Sequence, residues 1–247
     1  TEVITGKYNL DYNVLNSMIP EIDFSFDGNV EIRFTINEDD NGFSKIDGMG
    51  ALDNVSIKSK FLGPDLNLEN GKIRFLIRPY DKSYSGFLDI KASNLEVEIN
   101  TIFAENKIIE LDVNRLISPQ QDFSFNYKRN NNEFLVSGSK LTLDKINMSS
   151  DDKLDYEDIK LDFKIDLLKI GGMYFPNPEI NFNKVNGIFK EMSINLDGDD
   201  DFHRISIYDD NLSKKFVLES NYIPGLLNIF DINLNINKGS LKIEGNK

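Results

Sequence analysis

The closing stretch of the chain reads Phe216-Val-Leu-Glu-Ser220, then Tyr222-Ile-Pro-Gly-Leu-Leu-Asn-Ile-Phe230, and then Asp231-Ile-Asn-Leu-Asn-Ile-Asn-Lys-Gly239-Ser-Leu-Lys-Ile-Glu-Gly245. Apolar residues alternate with asparagines over residues 232–237, and the alternation resumes after Gly239. A period of two is typical of a strand with one buried and one solvated face. The stretch therefore predicts a strand, a short helix opened by Pro224, and a β-hairpin that turns at Gly239.

The same alternation extends over most of the chain. Residues 22–26 and 30–36 alternate on either side of the turn Asp27-Gly28-Asn29, which predicts a hairpin with one apolar face. Residues 159–167 form a longer run that spans roughly 30 Å at about 3.3 Å per residue. Because most connections carry Asn, Asp or Gly and no crossover helix is evident, we expect antiparallel neighbours and disfavour a parallel sheet.

The closing residues resemble the end of the AsmA-like family of bacterial envelope proteins. The family's text is a strand ending in serine, a short GxLL helix and a gGxLxIxG hairpin, and the matching residues here are Ser220, Gly225-Leu-Leu227 and residues 238–245. A weaker match covers residues 164–196, around the turn Gly171-Gly-Met-Tyr-Phe-Pro-Asn-Pro178, and residues 1–160 match only in style.

The resemblance implies an all-β fold, a long, twisted and curled antiparallel meander that forms an open groove (β-taco-like), with a short helix near the C-terminus. It implies one elongated domain over residues 1–247, a fragment of a longer protein. The implied location is the periplasm, with an inner-membrane anchor in a segment absent from this chain.

The function that the resemblance implies is binding of phospholipid acyl chains, as part of phospholipid transport between the inner and outer membranes and of outer-membrane integrity. The implied partners are phospholipid acyl chains, the inner-membrane anchor of the parent protein and envelope proteins at either end. The residues of apolar parity would line the groove, namely Ile22, Phe24, Phe26, Ile32, Phe34, Ile57, Phe75, Ile90, Val97, Leu161, Phe163, Ile165, Ile194, Leu218, Leu234, Ile236 and Leu241.

A second interpretation stays open on the residues alone. Many of the 18 phenylalanines and 9 tyrosines occupy the apolar parity of strands, which is also how an ordinary sandwich core is built. Periodicity reports burial and does not identify what covers the face. The alternative is a closed β-sandwich or adhesin-like module that binds a protein partner through its loops or a sheet edge, without lipid.

Composition excludes several function classes. Lys+Arg 28 against Asp+Glu 41 gives a net charge of −13, which opposes docking on nucleic acid through charge. The chain has no cysteine, so disulfides, thiolate catalysis and cysteine metal sites are impossible. It also lacks the roughly 18 uninterrupted apolar residues of a membrane-spanning helix.

The single histidine, His203, is the residue that a Ser-His-Asp mechanism would have to use. No G-x-S-x-G motif accompanies it, and a histidine near the end of an amphipathic strand is typical of packing at the rim of a sheet. Gly48-Met-Gly50 is the only hint of a phosphate loop, but it runs into a predicted strand and not into a helix N-terminus. We therefore expect no enzymatic activity and no cofactor.

Three aspartates, Asp197, Asp199 and Asp201, have the spacing that starts a calcium loop. The loop pattern then fails, because its sixth position is Phe202 where glycine is needed and its twelfth is Tyr208 where glutamate is needed. We interpret the aspartates as the acidic tip of a hairpin and expect no metal site.

Overall fold

The computed structural model describes residues 2–10, 24–28, 30–39, 42–52, 54–59, 62–104, 107–130, 132–144, 158–185, 188–210, 213–230, 232, 234–236 and 238–246. The first strands along the chain are β1 (Glu2–Leu10), β2 (Phe24–Asp27), β3 (Val30–Asp39), β4 (Gly42–Leu52), β5 (Val55–Ser59), β6 (Gly63–Leu68), β7 (Gly71–Tyr80), β8 (Ser83–Ala92), β9 (Leu95–Ala104), β10 (Lys107–Ile117) and β11 (Asp122–Lys128). They are followed by β12 (Glu133–Leu143), β13 (Ile159–Ile170), β14 (Met173–Pro176), β15 (Glu179–Val185), β16 (Ile188–Asp197), β17 (Phe202–Asp210), β18 (Ser213–Ser220), helix α1 (Ile223–Ile229) and β19 (Leu241–Asn246).

The fold is nearly all β, as the sequence predicted, and its described residues include one short helix. Sixteen described strands build large, mostly antiparallel sheet structure, and β2, β5 and β6 form a separate, smaller sheet. The chain divides into two compact units, Thr1–Asn126 and Tyr127–Lys247. The order in the large sheet is β1-β3-β4-β7-β8-β9-β10-β11 in the first unit and β12-β13-β15-β16-β17-β18-β19 in the second, where β14 also pairs with β13.

The register of the first unit aligns apolar residues into rows that cross the strands. One row consists of Ile32, Gly50, Ile73, Ile90, Val97 and Leu116. The next row consists of Gly6, Phe34, Gly48, Phe75, Leu88, Ile99 and Val113. It lies two residues away along each strand that contributes to both rows, except in β10, where an irregularity between Val113 and Arg115 makes the offset three. Because side chains alternate between faces, these rows share one face of the sheet, which we name the inner face.

The small sheet packs on one end of the inner face and completes the core of the first unit. Val55, Leu66 and Leu68 of the small sheet form one buried cluster with Val30, Leu52, Leu95 and Val97 of the large sheet. Each of these seven residues is less than 10% exposed. Burial of a side chain of this size stabilises the fold by roughly 1.5–3 kcal/mol.

The predicted hairpin over residues 22–36 is wrong in its pairing. Strand β2 pairs with β5 of the small sheet, whereas β3 pairs with β1 and β4. Gly28 lies between β2 and β3 with a φ of +121°, a region that glycine adopts freely, and a Cβ there would lie 2.9 Å from the Asn54 carbonyl oxygen. The turn therefore connects one sheet to the other. The residues on either side of it alternate as they would in a hairpin, so the sequence pattern does not distinguish the two cases.

The second unit contains one parallel pair, which corrects the expectation of antiparallel neighbours throughout. Strands β12 and β13 run parallel, with Phe134 opposite Leu161 and Val136 opposite Phe163. Parallel neighbours need a crossover of about a dozen residues or more, and residues 144–158 provide that length. The crossover shows no helical pattern in the sequence, so the usual signal of a parallel pair was missing.

The closing stretch forms the predicted strand and helix but not the predicted hairpin. Strand β19 pairs antiparallel with β18, and residues 232 and 234–236 belong to no strand. The Ile232 N–H donates to the Leu227 carbonyl at 2.8 Å, and the Ile223 N–H donates to the Gly239 carbonyl at 3.0 Å. These bonds hold the segment between α1 and β19 against α1. The described residues of this segment therefore do not pair with β19 as the predicted hairpin required.

Candidate functional site

The inner face of the first unit extends beyond the part that the small sheet covers. The row of Ile32, Ile73, Ile90 and Leu116 packs against the buried cluster. The next row contains Phe34, Phe75 and Leu88, all of them partly exposed, and Ile99, which still packs against the buried cluster. The face thus continues as an apolar surface with solvent above it, and this surface is the candidate site.

Glycines that lie beside aromatic residues determine how far the side chains of that surface project from the sheet. The Phe75 ring occupies the position in which a Gly48 side chain would stand, and the Phe34 ring lies over Gly6, where a Cβ would be 2.8 Å from its Cε1. At Gly86, a Cβ would be 2.8 Å from Thr101 Cγ2 and 3.4 Å from Phe103 Cε1. A ring that packs across a neighbouring glycine shields the backbone and projects little. The rings therefore form a low, continuous floor.

The structure brings together most of the lining residues predicted for the first unit. Ile32, Phe34, Phe75, Ile90 and Val97 all share the inner face. Ile57 lies in the small sheet and packs against the buried cluster. Phe24 and Phe26 belong to β2, opposite Ser59 and Ile57 in the backbone register, and Ile22 lies outside the described residues.

The second unit has an apolar face of its own. One row consists of Leu161, Phe182, Met192, Ile207 and Phe216, and the neighbouring row includes Ile194, Ile205 and Leu218. Phe163 and Ile165 follow Leu161 at the same parity, and Ile165 is buried. Most of the other members are partly exposed. The sequence therefore predicted residues that share a face in this unit as well.

Three predicted lining residues lie at the C-terminal end of the second unit. Leu241 begins β19 and lies opposite Ser220. Leu234 and Ile236 are 58% and 38% exposed in the segment that follows α1, outside any strand. These two residues are not part of a sheet face in this structure, because the hairpin predicted for them does not form.

His203 is 1% exposed, so it lies in the core of the second unit and not at the rim that the sequence suggested. Its Nδ1 and the Ser220 Oγ are hydrogen-bonded at 2.8 Å, and the Tyr222 N–H donates to the same oxygen at 3.1 Å. The Phe175 ring meets the imidazole edge-on, with 5.7 Å between centroids. Burial lowers the pKa of His203, and the nearby Asp201 opposes that shift only in part.

The buried His203–Ser220 pair connects secondary-structure elements. It joins β17 to β18, places Ser220 at the entrance to α1, and packs under β14 through Phe175. Ser220 is buried, so its hydroxyl is closed to a substrate in this arrangement. Sequence reasoning found the histidine but not its serine, because the two become neighbours only through the β17–β18 register.

The aspartates of the D-x-D-x-D pattern form the predicted hairpin tip. The Gly198 N–H donates to the Asp201 carbonyl at 2.6 Å and closes the turn between β16 and β17. Asp197 forms an ion pair with Arg204 at 3.2 Å. A search of the described residues finds no group of three or more His, Cys, Asp or Glu that could hold a metal ion. Gly48-Met-Gly50 lies inside β4, consistent with the rejection of a phosphate loop.

Comparisons with known proteins found no match to this chain. No family model, no curated protein and no solved structure matches it. Within the described residues, no helix is long and apolar enough to cross a membrane. The assignment of the candidate site therefore depends on the geometry of the structure.

Proposed function

We propose that this chain is a lipid-binding segment, in which the apolar faces of the sheet bind phospholipid acyl chains in an open groove. The observation that carries the proposal is the floor of the first unit, where Phe34 and Phe75 lie across glycines on a face that, among the described residues, the small sheet covers at one end. An exposed, contiguous apolar surface of this kind is a sign of a binding site. Its low relief leaves room for a chain to lie on it.

The physical balance supports acyl chains as the ligand. Each methylene removed from water contributes about 0.8 kcal/mol, and a phosphate headgroup stays hydrated where the surface meets solvent. The floor consists of hydrocarbon side chains without a converging set of polar groups, so binding would depend on chain length more than on chemical detail. Such a surface favours weak, mobile binding and suits transport better than storage.

The wider context follows the resemblance of the closing residues to AsmA-like proteins. On that basis the chain contributes to phospholipid transport between the inner and outer membranes and to outer-membrane integrity, in the periplasm of a membrane-anchored parent protein. The curled, β-taco-like groove is part of the same proposal. Partners at either end would be envelope proteins.

The proposal is tested by replacing floor residues and matched residues of the opposite face. Phe75→Asp places an unpaired carboxylate on the floor, whereas Met49→Asp makes the same change in charge at a residue that is 62% exposed. Phe163→Asp and the exposed Leu135→Asp form the equivalent pair in the second unit. We expect uptake of a fluorescent phospholipid from vesicles to fall at least tenfold, or ~1.4 kcal/mol, in Phe75→Asp and in Phe163→Asp, and to stay unchanged in each control.

Circular dichroism of each variant separates loss of the floor from loss of the fold. If a folded Phe75→Asp variant and a folded Phe163→Asp variant both bind phospholipid as well as the wild type, the proposal is wrong.

The packing of the small sheet favours a second candidate, the closed sandwich module. Leu66 and Leu68 are fully buried against the large sheet, as in the core of a sandwich. This candidate predicts that neither the wild type nor any variant takes up phospholipid, and that the chain instead binds a protein through a loop or a sheet edge.

A further inference from the structure

The inner face of the first unit ends, opposite the small sheet, in an aromatic rim. Tyr84 of β8 pairs with Phe103 of β9, and their rings stack with 5.7 Å between centroids. Ile108 of β10 lies opposite Phe103 in the register. Tyr84 is 42% exposed and Ile108 is 48% exposed. We name Tyr84, Phe103 and Ile108 the rim.

The rim continues the floor along the strands. Tyr84 and Leu88 have the same parity in β8, and Leu88 is the register partner of Phe75 on the floor. Tyr84 and Leu88 are four positions apart in the strand, which corresponds to about 13 Å. A tyrosine at such a place has an apolar ring against hydrocarbon and a hydroxyl in water, the arrangement that aromatic side chains adopt at a lipid–water boundary.

Charged side chains lie at the same ends of the strands. Lys82 follows Asp81 in the turn between β7 and β8, and Lys107 begins β10 beside the end of β9. Both lysines are exposed, and within the described residues neither ammonium group forms an ion pair. The Ser83 hydroxyl donates to the Tyr80 carbonyl at 2.6 Å and closes this turn.

We propose that the rim and the flanking turn bind the headgroup of a zwitterionic glycerophospholipid, whose acyl chains run from the rim along the floor toward the small sheet. Lys82 and Lys107 supply cations for the phosphate, and Asp81 supplies a carboxylate for the positively charged nitrogen. A free fatty acid has no cationic nitrogen for Asp81, and a neutral diacylglycerol has no phosphate for the lysines. The inference rests on the proposed function and adds an orientation and a ligand class to it.

The small sheet explains why the chains would point in only one direction. Val55, Leu66 and Leu68 fill the far end of the inner face, so a charged headgroup placed among these apolar side chains would lose its water. At the rim, solvent reaches the side chains of Tyr84 and Ile108. The two ends of the face therefore differ in what they can accept.

The test uses the absence of tryptophan from the chain, since one introduced indole is then the only one. Tyr84→Trp places the reporter at the rim, Phe103→Trp serves as a second rim reporter, and Leu88→Trp places it on the floor of the same strand. Each variant is titrated with a phosphocholine lipid that carries a nitroxide on the headgroup, and separately with one that carries it near the end of an acyl chain. We expect the headgroup nitroxide to quench the rim reporters at least twofold more than the floor reporter, and the chain-end nitroxide to do the reverse.

The outcomes separate this inference from the proposed function. Equal quenching of rim and floor by both lipids, or the opposite order, overturns the orientation while lipid binding stands. No quenching in any variant removes the proposed function and the inference with it.

A charge reversal tests the headgroup site independently. We expect Lys82→Glu with Lys107→Glu to weaken phosphocholine lipid binding about tenfold and to leave diacylglycerol uptake unchanged. The control is Lys58→Glu with Lys72→Glu, which reverses two exposed charges at the end of the unit where the small sheet packs. Equal effects of the two pairs on phosphocholine lipid would overturn the assignment of Lys82 and Lys107.

Discussion

At the scale of single residues, glycine in the middle of a strand determines the surface of the sheet. Gly48 lies inside β4 with the Phe75 ring in the position of its missing side chain, and Gly6 has the same relation to Phe34. Interior glycine ordinarily weakens a strand, because it adds chain entropy and packs nothing. Here a ring on the neighbouring strand fills the space beside the glycine. The glycine–phenylalanine pair therefore preserves packing on the sheet, and its side chains project little from the face.

Gly48→Val tests this arrangement directly. The new side chain would collide with the Phe75 ring, and we expect a loss of about 1–3 kcal/mol in the free energy of unfolding, measured in urea. Gly245→Val is the matched control, because Gly245 lies in a strand and a Cβ there would meet nothing within 4 Å. We expect that control to stay within about 0.5 kcal/mol of the wild type. Equal losses in the two variants would contradict the account of the floor.

His203 gives a pH dependence whose sign follows from its burial. Because burial lowers the pKa of His203 in the folded chain, the unfolded chain binds a proton more readily. This contribution to stability is therefore present above the ordinary histidine pKa of about 6.5 and is lost as the pH falls below it. Asp201, which acts in the other direction, reduces the loss without reversing it.

The measurement is an NMR titration, in which the only histidine of the chain gives a single imidazole signal. We expect a midpoint below 6.5, and a fall in the urea midpoint between pH 7.5 and pH 5.5 that is smaller in His203→Asn. A titration midpoint at or above 6.5 would show that His203 is solvated or paired with a carboxylate.

At the scale of elements, the sequence predicted which strands exist better than which strands are neighbours. The alternation correctly located β3 and β13, because a face that alternates within one strand is a local property. It did not show β4, where Gly48 and Gly50 interrupt the apolar series. Strand pairing depends on the rest of the molecule. The alternation therefore could not predict the β2–β5 pair or the parallel β12–β13 pair.

The same distinction applies to the candidate site. Phe34, Phe75 and Ile90 have the apolar parity of their strands, and in the structure they lie on one face. The small sheet that covers one end of that face, and the rings that lie over glycines, require the register between strands. A phenylalanine opposite a mid-strand glycine is the signal that a known register would have revealed.

The small sheet is expected to be a stabilising element of the first unit. Leu66→Ala would leave a cavity in the cluster where it is fully buried, and we expect a cost of about 2–5 kcal/mol in the free energy of unfolding. Leu135→Ala, at an exposed position, should cost less than about 0.5 kcal/mol. Chemical denaturation of both variants measures the difference, and a cost below 1 kcal/mol for Leu66→Ala would mean that the small sheet is not part of the core.

At the scale of the whole molecule, each unit has an apolar face with partly exposed residues. In the first unit the small sheet buries one end of the inner face, and in the second unit Leu196, Ile205 and His203 are buried while Leu161 and Phe163 remain partly exposed. A chain with a net charge of −13 keeps such faces soluble through its polar residues. The central claim is that phospholipid covers these faces in use.

Native mass spectrometry of the wild-type chain, purified from bacteria and then mixed with phospholipid, tests that claim most directly. We expect heterogeneous, substoichiometric phospholipid on the purified chain, identified after organic extraction, and additional bound lipid after mixing. Lipid binding on several similar surfaces should give a distribution of occupancies and not one fixed complex. A clean apo mass that persists after phospholipid is added would contradict the account and favour the closed module.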